Sequence, residues 1–397
     1  MKLRCLSAVA LALCACGSDL ASPFSAVAVT YDVNKKSFKL AQVRVNTLAS
    51  LRHLQGTAGN VSAGGTARVT KAALADAAAT VATLQGKFIT QPPGEVDLTW
   101  SILNDIVYPE NFDSLELLSS YYNLEKARKQ LADWAPKDFT LLAKPVIAHS
   151  TLLDDNGLSP MGDGEIYYPP LAGFYLPAAT PKAQVPAALN LGAVAHALGH
   201  EAFAELVWGG KPVAAPELGA AKDPDWNTAR HVTRSMTEGI ADYLGVAVSE
   251  DSRWFDHSLQ QTADSRALDR VRCGDPSMLE ALPASDDSAP YDPYPLGTVL
   301  AGALWEATNL TDSNVQTMAK GVLGVFSALK DRSAALATPG QLTLAVVLDT
   351  IVTTADDTVK PNLCGLFFNR FAALSVRTGD LPACNAVVAI TPDTLCQ

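Results

Sequence analysis

Two pairs of residues, each four positions apart, carry the chemistry this sequence can offer. His196 and His200 bracket His196-Ala197-Leu198-Gly199-His200, and Glu238 and Asp242 bracket Glu238-Gly239-Ile240-Ala241-Asp242. Residues four apart share one face of an α-helix, so both imidazoles can aim at one ion. Zinc accepts imidazole nitrogen at about 2.0–2.1 Å, but two ligands do not complete a site. Glu238, from a second helix, supplies a third ligand and offsets half of the ion's charge. Asp242, one turn on, can accept the other ring N–H of a ligating histidine and set its tautomer. Gly239 and Ala241 leave room for two helices to pack closely.

With these motifs the sequence resembles the gluzincin metallopeptidases, the thermolysin-like and fungalysin-like families. Their hallmark is H-E-x-x-H on one helix and a Glu on a later one, often as E-x-x-x-D. The resemblance covers about residues 97–330. SYYNLEKARKQL (120–131) looks like the N-terminal-lobe helix, DGEIYYPP (163–170) like the substrate-edge strand, and YPLGTVLAGALWEA (294–307) like a later helix. The resemblance implies His196, His200 and Glu238 as zinc ligands and Asp242 as the group that orients a ligating histidine. It also implies an α+β, zincin-like fold. A mixed, β-containing N-terminal lobe and a helical C-terminal lobe would hold the zinc site between them, with a peptide or protein bound in the cleft.

Two positions depart from the family. Ala197 stands where the catalytic Glu belongs, the general base that takes a proton from the attacking water. That role is worth about 10²–10⁴ in rate, and a methyl group cannot perform it. Tyr294 is the nearest match to a family histidine that stabilises the oxyanion, and its hydroxyl can still donate a hydrogen bond. Glu201 and Glu205 are the carboxylates nearest to hand. Glu201 lies about 100° around the helix from His200 and should not face the same water.

The other histidines offer less. His231 precedes Glu238 by seven residues on the same face and reads as a histidine behind the ligands or an exposed one, ahead of an extra ligand. His53, His149 and His257 lack partners at useful spacing and read as surface residues. Ser150 follows His149, but no G-x-S-x-G elbow is present. Asp154-Asp155-Asn156-Gly157 and Asp286-Asp287 read as turns, since the remaining ligands of a calcium loop are missing. Trp100, Trp134, Trp208, Trp226, Trp254 and Trp305 are scattered along the chain and read as packing residues.

The rest of the chain must position these groups. Its 397 residues are 48% hydrophobic and 18% charged, a globular composition. Thirty basic against 41 acidic residues give a formal charge of −11, which argues against a nucleic-acid partner. The opening MKLRCLSAVALALCAC has a short basic start and an apolar run too short to span a bilayer. Its Leu13-Cys14-Ala15-Cys16 ending resembles the lipobox of bacterial lipoproteins. That implies a signal peptide over 1–15, lipidation of Cys16 and a diacyl anchor in the bacterial cell envelope. Gly17 after the cysteine points to the outer membrane. Cys273, Cys364, Cys384 and Cys396 then suggest two disulfides, with three pairings open.

Residues 16–96 read as an N-terminal segment and linker, and 97–397 as the metallopeptidase-like domain. Loose alternation from Phe24 to Val45 predicts one or two strands, and Ala67 to Leu84 an Ala-rich helix. Asp113 with Glu116 three residues on predicts a helix start and a helix to Trp134, with Leu117, Tyr121, Leu124 and Leu131 on one face. Strands are predicted over 139–148 and 165–176, with a bend at Pro169-Pro170. Helices are predicted over 187–208, 227–246, 296–308 and 315–329, the first stopped by Gly209-Gly210. Strands first and helices after give α+β. Three functions stay open: a membrane-anchored zinc-binding pseudopeptidase, an active metallopeptidase with a non-standard base, and a structural surface lipoprotein with a decayed site.

Overall fold

The alternating segment near the N-terminus folds as a hairpin of β1 (Phe24–Asp32) and β2 (Ser37–Val45), paired from Phe24 opposite Val45 to Asp32 opposite Ser37. The structure, a computed structural model, describes residues 19–68, 89–91, 94–136, 145–153, 166–168, 173–177, 185–208, 224–258, 266–279, 293–310, 315–330, 343–390 and 396. Short strands follow as β3 (Leu48–Ser50), β4 (Gln55–Gly56), β5 (Gly59–Ala63), β6 (Thr66–Arg68), β7 (Ile89–Gln91) and β8 (Gly94–Glu95). Then come β9 (Trp100–Leu103), β10 (Ile106–Pro109), β11 (Pro145–Leu153), β12 (Ile166–Tyr168) and β13 (Gly173–Pro177).

They form two sheets. The first has the order β2-β1-β10-β9, with β1 and β10 parallel. The second runs β12-β13-β11-β5-β4-β3, with β6, β7 and β8 attached beside that path. Both sheets join strands from before and after residue 97, through β1 with β10 and β5 with β11. The predicted strand over 165–176 is two strands, β12 and β13, paired antiparallel. β12 is the outer strand of its sheet.

Helix α1 (Phe112–Trp134) packs on strands of both sheets, β1 and β10 of the first and β5 and β11 of the second. Leu117, Tyr121, Leu124 and Leu131 are buried along it, as the spacing predicts. Its start differs from expectation. Asn111 is the N-cap, its side-chain oxygen accepting the Ser114 N–H at 2.7 Å. Asn caps as well as Asp does, and this start leaves the Ser114 hydroxyl 3.1 Å from the Thr99 N–H, tying the helix to the strand before it. Further along, the buried Glu125 carboxylate accepts the N–H groups of Asn46 and Thr47, each at 3.0 Å, and the Thr47 hydroxyl at 2.8 Å. Charge-assisted bonds of this kind fix the β2–β3 corner to α1.

Beyond Pro186 the described elements are all helices, joined by irregular stretches. After a 3₁₀ turn (Ala187–Leu189) come α2 (Leu191–Trp208), α3 (Pro224–Ser249), the one-turn α4 (Phe255–Ser258), α5 (Tyr294–Leu310), α6 (Val315–Lys330), α7 (Leu344–Thr354) and α8 (Lys360–Arg370). Asn190 starts α2, its Oδ1 accepting the Gly192 N–H at 3.1 Å. The four predicted helices are present with ends shifted by a few residues. One hydrophobic core extends from Phe24 to Cys384 through both regions, so the fold is mixed α+β with a sheet-containing N-terminal region and a helical C-terminal region. Disulfides Cys273–Cys396 and Cys364–Cys384 realise one of the three open pairings. No described helix is long and apolar enough to cross a membrane.

Several predicted features lie outside the described residues: Cys16 and its leader, the turns at 154–157 and 286–287, Pro169-Pro170 and Gly209-Gly210. Of the predicted Ala-rich helix, Ala67 and Arg68 belong to strand β6, and 69–84 lie outside as well.

Candidate metal centre

Helices α2 and α3 lie antiparallel, and small residues bring them together. A Cβ at Gly199 would come within 3.0 Å of the Ala241 Cα, and one at Gly245 within 2.9 Å of the Gly192 carbonyl. Ala241 therefore serves the α2 contact as the sequence suggests. Gly239 instead faces α5, where an added Cβ would lie 2.5 Å from the Gly297 carbonyl. Because the helices run in opposite directions, position 196 meets 242 while position 200 meets 238. Two pairs at i, i+4 become one four-residue cluster.

The Nε2 atoms of His196 and His200 are 3.0 Å apart. Oε2 of Glu238 lies 3.6 Å from the first and 3.5 Å from the second. These three atoms could hold a metal ion. Four ligands at about 2.0–2.1 Å in a tetrahedron stand roughly 3.3 Å from one another, so the triangle has the dimensions of one tetrahedral face. The charge also fits a cation. Among the described residues Glu238 and Asp242 share one guanidinium, Arg266, which leaves one negative charge over in a partly buried site.

Nδ1 of His196 lies 2.8 Å from Oδ1 of Asp242, the contact expected of a carboxylate that orients a ligating ring. Burial drives the His196 pKa down, more than Asp242 pulls it up. A neutral ring with its proton on Nδ1, beside Asp242, keeps the Nε2 lone pair aimed at its two neighbours. Burial alone would raise the Glu238 pKa, but His200, Arg266 and His196 bring it down to about 2. Its carboxylate is thus ready to bind a cation at neutral pH.

Arg266 is the residue that spacing could not reveal. Its guanidinium donates to both oxygens of Asp242 and, at 3.3 Å, to Oε2 of Glu238. It is stacked between the rings of Phe255 and Tyr294, with Cζ 3.8 and 4.2 Å from their centroids. Nothing in the local sequence sets Arg266 apart from Arg270 or Arg272, and α3 and α4 separate it from the histidines.

The remaining positions fall as follows. Ala197 is 1% exposed and belongs to the hydrophobic core. Tyr294, the first residue of α5, lays its ring on the Arg266 guanidinium. Glu201 is buried and turned toward α1, where the Arg128 guanidinium is 3.4 Å from its carboxylate. The 100° helical step separates it from the His196–His200 face, as the sequence argument requires. The side chains of Glu205, His231 and His149 lie outside the described residues.

His257 corrects one expectation. It is buried rather than a surface residue, with Nε2 2.7 Å from Oδ2 of Asp251. The Asp251 spacing carries no helical signal, because a turn over 252–254 separates it from α4. His53 is half-buried, with Nδ1 3.2 Å from the Val96 carbonyl oxygen. Trp254 stacks on Phe255 with centroids 3.5 Å apart, beneath His196. No protein-family model and no curated protein matches the sequence.

Proposed function

We propose that this chain is a membrane-anchored, zinc-binding, metallopeptidase-like protein whose hydrolytic step is lost or severely weakened at Ala197. One observation carries the reading: three ligand atoms at 3.0, 3.5 and 3.6 Å from one another, with Asp242 behind one of the histidines. A His₂Glu set of this kind suits zinc. When bound, zinc would act as a Lewis acid toward a carbonyl in the cleft.

The chain's own residues define what else the site does. His196, His200 and Glu238 hold the ion, and Asp242 keeps the His196 proton on Nδ1. Arg266 spreads its charge over Asp242 and Glu238 and prevents two carboxylates from repelling each other. β12, the outer strand of its sheet among the described residues, lies against α2, and its outer edge is where an extended peptide could pair. The Ala197 methyl accepts no proton, and Glu201 is engaged with Arg128. A protein so built would capture peptide or protein without turning it over. The lipobox-like segment ending at Cys16 supports a lipid anchor in the bacterial envelope, with Gly17 favouring the outer membrane.

Elemental analysis of the purified mature protein, wild type beside His200→Ala, tests this reading. One zinc per chain that disappears in the variant is the expected result. Absence of zinc from the wild type, with a melting temperature unchanged by chelator, would overturn it.

A further inference from the structure

Four separate stretches of chain meet at one corner of the first sheet. The Arg52 N–H donates to Oδ1 of Asp19 at 2.9 Å, and the Leu51 N–H to the Leu20 carbonyl at 2.9 Å. The Arg52 guanidinium lies over the ring of Trp100, 5.9 Å from its centroid, with Asp97 3.8 Å away. Trp100 opens β9, and the Asn111 side-chain amide, beside Phe112, donates to the Thr99 hydroxyl at 2.9 Å. The start of the described chain, the turn after β3, the start of β9 and the start of α1 thus share one place.

This corner presents apolar side chains to the outside. Ile102, Leu103 and Phe112 are 57%, 60% and 60% exposed. β9 is also the last strand of its sheet among the described residues. Soluble proteins commonly blunt such an edge with charge, because an apolar edge strand invites other chains. Ser101, Ile102 and Leu103 carry none.

Chain length says what covers them. Three residues separate Asp19 from Cys16, the cysteine of the lipobox-like segment. A trans chain spans at most about 3.6 Å per residue, so a lipid on Cys16 would be tethered within about 11 Å of Asp19. Leu103 lies three residues from Trp100 along β9, about 10 Å at the strand rise. A bilayer holding that anchor therefore reaches this corner first.

We propose that the β9 edge and the start of α1 form a membrane-contact surface that rests on the bilayer beside the lipid anchor. Ile102, Leu103 and Phe112 would enter the interface, with Trp100 and Arg52 at headgroup level, where amphipathic side chains are favoured. Backbone groups at the strand edge stay within reach of headgroups and water there. The exposed carboxylates Asp97, Asp105 and Glu110 flank the surface, which suits zwitterionic better than anionic lipid. The proposal rests on the lipid-anchor reading of Cys16 and adds the orientation of the anchored protein.

The test uses the full chain made in a bacterial host, with acylation of Cys16 read from intact mass, in phosphatidylcholine vesicles. A polarity-sensitive fluorophore is attached at Leu103→Cys, at Phe112→Cys and, for comparison, at Leu310→Cys on the exposed end of α5. Emission at positions 103 and 112 should rise severalfold in vesicles and be quenched by lipid brominated on its acyl chains. Position 310 should show neither change. Acylated protein without quenching at 103 and 112 would overturn the surface and leave the anchor standing. So would an equal response at 310, or a rise with protein concentration in the absence of vesicles, which would make a second copy the cover. Absence of the acyl group would overturn the anchor and this orientation with it.

Discussion

At the α2–α3 centre two carboxylates share one guanidinium among the described residues, whereas at the end of α3 Lys39 lies 2.7 Å from Asp32 and His257 lies 2.7 Å from Asp251, one partner each. Both regions set ionisable groups next to aromatic rings. Phe255 and Tyr294 enclose Arg266 in the first, and Tyr31 and Phe38 flank His257 in the second. The difference lies in what is left over. One surplus negative charge beside two imidazoles calls for a cation. The charge remaining after internal pairing tells more about a site's occupant than the number of charged residues in it.

The largest effect should come from giving the metal centre the group it lacks. Ala197→Glu should raise peptide hydrolysis by about 10²–10⁴ over the wild type, measured on a broad peptide library with zinc present. A folded, zinc-loaded variant that stays inactive would mean that the cleft differs from a peptidase in more than one residue. Next is the balance of charge. Arg266→Met should cost about 3–5 kcal/mol in metal-free protein, because Asp242 is left buried without its partner. Zinc should reduce that loss, as read from denaturant melts with and without the ion. An equal loss in both states would detach Arg266 from the metal.

A smaller effect, of opposite sense, belongs to Glu116 on α1. Burial, with a contribution from Asp113, pushes its pKa up to about 7. A carboxyl whose folded pKa lies above its unfolded value contributes most at acid pH and loses that contribution as pH rises toward 7. Glu116→Gln should therefore stabilise the protein by about 1–3 kcal/mol at pH 8 and by little at pH 5. A gain of the same size at both pH values would show that the effect is not one of protonation.

What could be read ahead of the structure was whatever a short period encodes. The helical repeat places His196 with His200 and Glu238 with Asp242, and it turns Glu201 away from both. The strand-then-helix order gives the fold class. The residues that escaped are those brought in by tertiary contacts. Arg266 approaches from beyond α4, and the corner around Trp100 combines residues near 19, 52 and 112 that no window spans. The start of α1 was misplaced for a local reason, since Asn111 and Asp113 are comparable caps. The choice between them came from Thr99, outside the helix.

The antiparallel contact of α2 and α3 also sets how far the two helices can slide. One turn, about 5.4 Å, moves the α3 partner of each histidine by nearly four residues. In one direction His200 would meet position 234, an arginine, in place of Glu238. In the other, His196 would lose Asp242 and meet Val246. Only one of the three settings gives both imidazoles an acid. An ion bound there would work as a detent, locking the bundle in the one notch that accepts it.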